Sequence, residues 1–434
     1  MTRGVFDNAA LTTIVQHYVQ ANRFMGNVLI AQEDQIVYEA SFGYANLELN
    51  VLHNPLTKFR IASVTKPLTA AAIMVLESRG LVKLENTVQA HLPDFPDGDR
   101  ITVRHLLNHT SGIANYTSLP DFERVTRQFH TLPEVIALFA GKPLEFAPGS
   151  QRMYSNSNYI LLTAILESIT TQSYADVLRE LVLEPLGLSD TGVDESASVL
   201  PDRASGYAWA SKKYHHAQHM DISVASGAGG LYSTARDLQR FARGVCTGEL
   251  LGADATERVF NLTATVNDDL QYGLGWEINT IAHEPVYRHG GTIFGFKSSL
   301  SYFPQSDVSI VTLSNHQGSP LDDLSINLAQ AVFGVPVKLP IFPVAVFLPP
   351  AALEGLYGKY QLEPDLILEI SVKDASLHLF VAGQGHFDVY ASAPDHFFLD
   401  AVEAQFSFVR DSSGAAISLV YTQNGNTTTA PRLF

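Results

Sequence analysis

Five prolines, Pro336, Pro340, Pro343, Pro349 and Pro350, fall between Gly334 and Pro350. Proline fixes φ and donates no backbone hydrogen bond, so this stretch reads as a stiff, extended connector between independent pieces. The 434-residue chain is 46% hydrophobic and 17% charged, enough to fill more than one core. The reading is therefore two domains, 1–334 and 351–434, joined by a linker over 335–350.

The first piece mixes helical and strand patterns. Residues 6 to 22 are amphipathic at helical period, and Gly26–Ala31 and Gln35–Gly43 alternate around Gln32-Glu33-Asp34 as a hairpin. A helix over 63–80 stops at Gly80, and a short one spans Thr102–Asn108. After Pro148-Gly149, a helix is expected over Tyr159–Thr170, capped by Ser157 or Asn158. Gly227 to Thr234 turns into a helix at Ala235–Val245 with Ser233 or Thr234 as cap. Tyr272–Asn279, Val286–His289, Lys297–Phe303 and Val308–Ser314 read as strands, and 320–333 as a last helix. Strands near both ends with helices between them imply one antiparallel sheet joining the two ends of an α+β domain. Beyond the prolines, Ile367–Val372, Leu377–Val381, Ala404–Arg410 and Ile417–Tyr421, with a turn at Gln423-Asn424-Gly425-Asn426, suggest a small antiparallel barrel.

Charge excludes one class of partner. The net charge is -16 and no Lys/Arg-rich run occurs, so nucleic acid is not expected. No uncharged run of about 18 residues could span a bilayer. Met1–Asn22 lacks the apolar segment of a secretory leader. Cys246 is the one cysteine, sits in the apolar pattern Leu238–Val245 and reads as a core thiol. A cytoplasmic protein is expected, and a periplasmic one if a leader has been removed. His105 and His109, four apart, could face one another, but no third ligand accompanies them and no metal or organic cofactor is expected. His215, His216 and His219, beside Lys212 and Lys213, read as a surface loop.

The candidate chemistry starts at Phe59-Arg60-Ile61-Ala62-Ser63-Val64-Thr65-Lys66-Pro67, ahead of the apolar run Leu68–Leu81. Ser63 and Lys66 lie one turn apart on one helix face, which brings a hydroxyl and an amine together. Serine is a poor nucleophile until a base removes its proton, and lysine can do so only if desolvation lowers its pKa. Further on, Tyr154 and Asn156 stand on a polar turn: a phenol near a lysine can shuttle a proton, and a carboxamide can grip a substrate amide or hold the lysine.

Ser63-x-x-Lys66, Tyr154-Ser155-Asn156 and His289-Gly290-Gly291, in that order, resemble the three motifs of the penicillin-recognising serine hydrolases. The likeness is to the class C β-lactamase-like branch, with its D-alanyl-D-alanine carboxypeptidases, D-aminopeptidases and esterases. Leu106-Leu107-Asn108-His109-Thr110-Ser111-Gly112, Pro185-Leu186-Gly187-Leu188, Gly229–Thr234 and Tyr272-Gly273-Leu274-Gly275-Trp276 resemble the same family, and the tail is similar to its lipocalin-like barrel. The resemblance implies a β-lactamase/transpeptidase-like sheet flanked by helices. Ser63 would be the nucleophile, with Lys66 and Tyr154 transferring protons and Asn156, His289, Gly290 and Gly291 binding or orienting substrate. The third motif would lie on an edge strand, and the backbone N–H groups of Ser63 and Thr292 would form an oxyanion hole.

Most β-lactamases and classical carboxypeptidases of this family carry a lysine where this chain has His289. A histidine is mostly neutral at pH 7, so a penicillin-like carboxylate loses its cation and the likeness shifts toward aminopeptidases and esterases. The expected activity is cleavage of small peptides or amides, D-residue-containing ones included, through an acyl-Ser63 intermediate. A carboxylesterase with weak β-lactamase activity is the nearest alternative, and a non-catalytic sensing or assembly module the next. A homo-oligomer is left open, with the barrel as a lid, an oligomerisation surface or both.

Overall fold

The structure, a computed structural model, describes residues 6–210, 213–364, 366–373, 376–381, 385–399, 404–423 and 426–433. It divides into one unit of Met1–Tyr207 with His216–Leu339 and a second of Ala208–His215 with Pro340–Phe434.

The first unit is organised on eight antiparallel strands: β1 (Gly26–Gln32), β2 (Gln35–Phe42), β3 (Ala264–Asn267), β4 (Leu270–Tyr272), β5 (Glu277–Ile281), β6 (Glu284–Ile293), β7 (Phe296–Phe303) and β8 (Val308–Ser314). Their order in the sheet is β3-β4-β5-β6-β7-β8-β1-β2, so the N-terminal hairpin is stitched onto the late strands, with Gly26 opposite Ser314 and Gln32 opposite Val308. Only glycine fits at 26: with φ +154° a Cβ would approach the Leu313 carbonyl oxygen to 1.9 Å. β1 and β8 are buried almost throughout, which explains why both read as nearly continuous apolar runs.

Helices α1 (Asn8–Gln20), α2 (Thr65–Ser78), α3 (Asn156–Thr170), α4 (Ala235–Cys246) and α5 (Leu321–Val332) complete the frame. α4 packs on β1, β7 and β8, and α5 contacts β7, β8 and α1. α2 and α3 pack on one another and are apolar on every side; α2 is buried from Thr65 to Leu76 and α3 from Ser157 to Leu166. A helix with no wet face belongs inside the domain, and this one carries Lys66.

In the second unit, Gly358–Glu363, Leu366–Lys373, Ser376–Val381, Gly385–Ala393, His396–Leu399, Ala404–Arg410, Ala416–Gln423 and Asn426–Leu433 pair in chain order into a closed barrel. Closure comes from Lys359 opposite Leu433 and Tyr360 opposite Arg432. The barrel has its own core, including Leu356, Tyr360, Phe397, Phe406 and Phe408.

Several expectations shift in detail. α3 begins at Asn156, three residues early, with Ser155 at the cap position and no side-chain cap. Ser157 and Asn158 are tertiary anchors instead: Ser157 Oγ donates to the Ala114 carbonyl, and Asn158 Oδ1 accepts from Ser111 Oγ. Thr234, not Ser233, caps α4. Tyr272–Asn279 is two strands broken by a turn at Gly273 and Gly275. His109 lies past the end of the helix Val103–Leu107 with φ +61°, so it does not share a helix face with His105. Lys213–His216 forms a strand where a loop was expected, and His216 pairs with Glu48. Lys212, Asn424 and Gly425 lie outside the described residues. No helix among the described residues is long and apolar enough to cross a membrane.

Candidate active site

The backbone turns sharply just before Ser63. Ala62 holds φ +49°, a left-handed conformation costly for a residue with a Cβ, and a single 3₁₀ turn over Ala62–Val64 leads into α2. Neighbours lock that turn from two sides. Phe59 and Arg60 pair with Ser233 and Tyr232, while Ser298 Oγ on β7 donates to the Ile61 carbonyl at 2.6 Å. Ser63 is thereby held at the mouth of a buried helix.

Lys66 Nζ sits among three oxygens: Ala228 O at 2.7 Å, Asn156 Oδ1 at 2.8 Å and Ser63 Oγ at 3.1 Å. The side chain has no solvent exposure, and burial pushes its amine well below the ordinary lysine value. Asn156 is fixed in turn, its Nδ2 donating to Thr117 Oγ1 at 3.1 Å. Of the two roles open to Asn156 from the sequence, its Oδ1 contact is to the lysine.

The Tyr154 ring lies 4.8 Å from Lys66 Nζ and 4.3 Å, centroid to centroid, from His109. Burial raises the Tyr154 hydroxyl pKa and a hydrogen bond with Ser63 works against that rise. Among the described residues Ser63, Lys66, Tyr154 and Asn156 therefore form one cluster.

The third motif is placed differently from expectation. β6 is not an edge strand, for β5 and β7 flank it. Pairing with β5 nevertheless stops at Arg288, opposite Glu277, while pairing with β7 continues to Ile293. Residues 289–293 thus keep one unpaired edge, and the Ser63 turn lies against the face of Gly291: a Cβ there would lie 2.4 Å from Ile61 O and 3.0 Å from Ser63 N. Thr292 is exposed and, with Ser63, lines a cavity of about 260 Å³. Phe122, Met220, Ile293 and Phe294 contribute apolar walls, and among the described residues no charged one lines it.

His289 is only 2% exposed and spends both ring nitrogens inside the protein. Nδ1 donates to the Gly290 carbonyl at 2.6 Å, so Nε2 is the acceptor, 3.0 Å from the Tyr272 hydroxyl. Burial, with the Lys66 charge nearby, lowers its pKa to about 3, and the ring is neutral at any physiological pH.

The Beta-lactamase family model matches residues 11–334. The chain belongs to that family. Penicillin-binding protein 4* of Bacillus subtilis is 27% identical over 95% of this chain and 96% of its own length. A D-stereospecific amidohydrolase from Streptomyces sp. superimposes with a TM-score of 0.68 at 26% identity, covering 76% of this chain and all of that one. The octameric penicillin-binding protein homologue from Pyrococcus abyssi, 21% identical, shares the fold with a TM-score of 0.69 over 98% of this chain and 100% of its own. Structural neighbours of this beta-lactamase family member are serine hydrolases.

Sequence reasoning passed over the second ring of this site. Ala228 O, which accepts from Lys66, is a backbone atom with no signature. Thr117 carried no signal, Tyr272 stands in a stretch that carries the family likeness but drew no role of its own, and Arg152 stood out only as two residues before Tyr154.

Proposed function

We propose that this beta-lactamase-like serine hydrolase cleaves small uncharged amides or esters, D-residue amides among them, through an acyl-Ser63 intermediate. The observation that carries the reading is the environment of Lys66. A neutral amine has two N–H bonds and one lone pair. The two short contacts, to Ala228 O and Asn156 Oδ1, use both hydrogens, so the lone pair is left for the Ser63 hydroxyl. Ser63 Oγ then attacks the carbonyl carbon while its proton passes to Lys66 and, through Tyr154, to the departing nitrogen or oxygen. The Ser63 and Thr292 N–H groups are assigned to the oxyanion, each such donor contributing about 3 kcal/mol. Water releases the acyl group, its proton passing by way of Tyr154 and Lys66 back to the Ser63 oxygen. His289, Gly290 and Gly291 are assigned to shaping the strand edge; the spent nitrogens of His289 argue for a positioning role and not a direct grip on substrate.

The cavity supports neutral substrates, since no side chain lining it among the described residues carries a charge to pair with a carboxylate or a free ammonium. That same feature favours the esterase alternative. The D-preference is supported by the Streptomyces relative. A turnover panel decides: D- and L-alanine p-nitroanilides with free and acylated amines, p-nitrophenyl acetate and butyrate, and nitrocefin, each beside Ser63→Ala. Ser63-dependent turnover of acylated D-anilides supports the amidase reading. Turnover of esters alone moves the assignment to a carboxylesterase. A Ser63→Ala protein that still reacts with a fluorophosphonate probe would remove the nucleophile assignment, and no turnover at all would leave the non-catalytic module.

A further inference from the structure

The arginines of this acidic chain are mostly tied to carboxylates: Arg60 and Arg203 to Asp194, Arg258 to Glu77, Arg288 to Glu277 and Asp322. Several guanidinium groups depart from the pattern, and two of them line one cavity. Among the described residues Arg104 and Arg152 make no ion pair, and Arg152 Nε is buried without a hydrogen-bond partner. Both line the same cavity, of about 490 Å³, together with His105, Asn108, Thr110 and Ser150. Among the described residues no aspartate or glutamate lines it, and none is shared with the cavity at Ser63.

The donors here are of one kind. His105 Nδ1 accepts the Thr102 N–H in the helix cap, so in the neutral ring the proton sits on Nε2. Two fixed cations, an imidazole N–H and the Asn108 amide face the cavity, while the Thr110 and Ser150 hydroxyls donate to Asn108 Oδ1 and the Ala147 carbonyl. A guanidinium without a carboxylate partner still has charge-assisted hydrogen bonds to make, and an oxyanion in the cavity would supply them. The inner wall also touches the candidate catalytic cluster: the Arg152 guanidinium carbon lies 5.0 Å from the Tyr272 ring centroid and 5.9 Å from that of Tyr154.

We propose that this cavity binds a small oxyanion, a carboxylate or phosphate group, and that occupancy slows turnover by drawing the Arg152 charge away from Tyr154. The first half stands on the cavity alone; the second rests on the proton-transfer role proposed for Tyr154. With Arg152 neutralised by a bound anion, Tyr154 holds its proton more tightly and passes it on less readily. Inhibition should therefore lower kcat and leave KM unchanged, because the anion does not enter the cavity at Ser63.

The test titrates inorganic phosphate and, separately, succinate into the full-length protein at constant ionic strength held with sodium chloride. Binding is read by calorimetry and by the shift in Tm, so it does not depend on turnover. Saturable binding that Arg104→Ala weakens at least tenfold, with basal kcat/KM retained, is the expected result; which of the two probes binds more tightly identifies the anion. Absence of saturable binding of either anion, or equal binding by Arg104→Ala, overturns the site. Binding that leaves kcat untouched, or that raises KM alone, overturns the coupling to Tyr154. Arg152→Lys, which keeps the charge but not the fork, should lose most of the anion affinity.

Discussion

Lys66 works as a base only when neutral, and its surroundings decide the pH at which that happens. Burial lowers its pKa well below the usual lysine value, so kcat/KM should climb with pH through that depressed pKa and level off well short of pH 10. A profile still rising with the slope of an ordinary lysine near 10.5 would contradict the assignment. Lys66→Arg, permanently charged, should lose about a thousandfold or more in kcat. Buried histidines, His53, His109, His289 and His316 among them, set a different pH dependence, that of stability. Burial lowers His53 to about 4 and His289 to about 3, below the unfolded value of about 6.5. The unfolded chain therefore takes up protons first as pH falls. Stability from these groups is complete above about pH 6.5 and is lost below it, at about 1.4 kcal/mol per pH step for each histidine until its folded value is reached. Urea midpoints at pH 7.0 and 5.5 should show the drop, and His53→Gln should make it shallower; identical slopes for parent and variant would remove His53 from the account.

Among the elements, β6 has the most exacting geometry. Its last five residues are paired on one side only and lie against the Ser63 turn, and Gly291 is the point of closest approach. Gly291→Ala places a methyl group against Ile61 O and Ser298 Oγ, both backed by the sheet. Activity should fall at least a hundredfold while Tm drops by several degrees; full activity would mean that the turn has slack which the structure does not suggest. How much of this was legible follows from range along the chain. Ser63-x-x-Lys66 could be read because a helical turn is local, and the hairpin strands because alternation is local. The strand-order position of β6 could not, because partial pairing with β5 depends on where a neighbouring strand ends. Nor could the hold of Asn156 by Thr117, or of His289 by Tyr272, which depends on packing between distant segments. Ser157 and Asn158 were misread as caps for a related reason: a hydroxyl or amide at a helix start satisfies the local pattern, yet here tertiary partners take it.

The whole molecule is two cores joined by the proline-bearing stretch. Ile341 and Phe347 within it are 88% and 84% exposed, and proline-rich backbone there makes few hydrogen bonds to protect it from cleavage. Brief chymotrypsin treatment should cut near Phe347 first and leave two fragments that each keep a cooperative melt, since each unit has its own hydrophobic core. Loss of structure in both fragments on that single cut would show that neither unit is self-sufficient. The sheet of the first unit carries a cost in time. Ser314 Oγ donates to the Met25 carbonyl across 289 residues of chain, and β1 lies between β8 and β2. During synthesis at roughly 5–20 residues per second, the apolar N-terminal hairpin must wait about 15–60 s for its partner strand to be made. Throughout that interval it is an unpaired, water-exposed β edge on the ribosome, and the nascent chain is at its most sticky long before the Ser63 turn can be assembled.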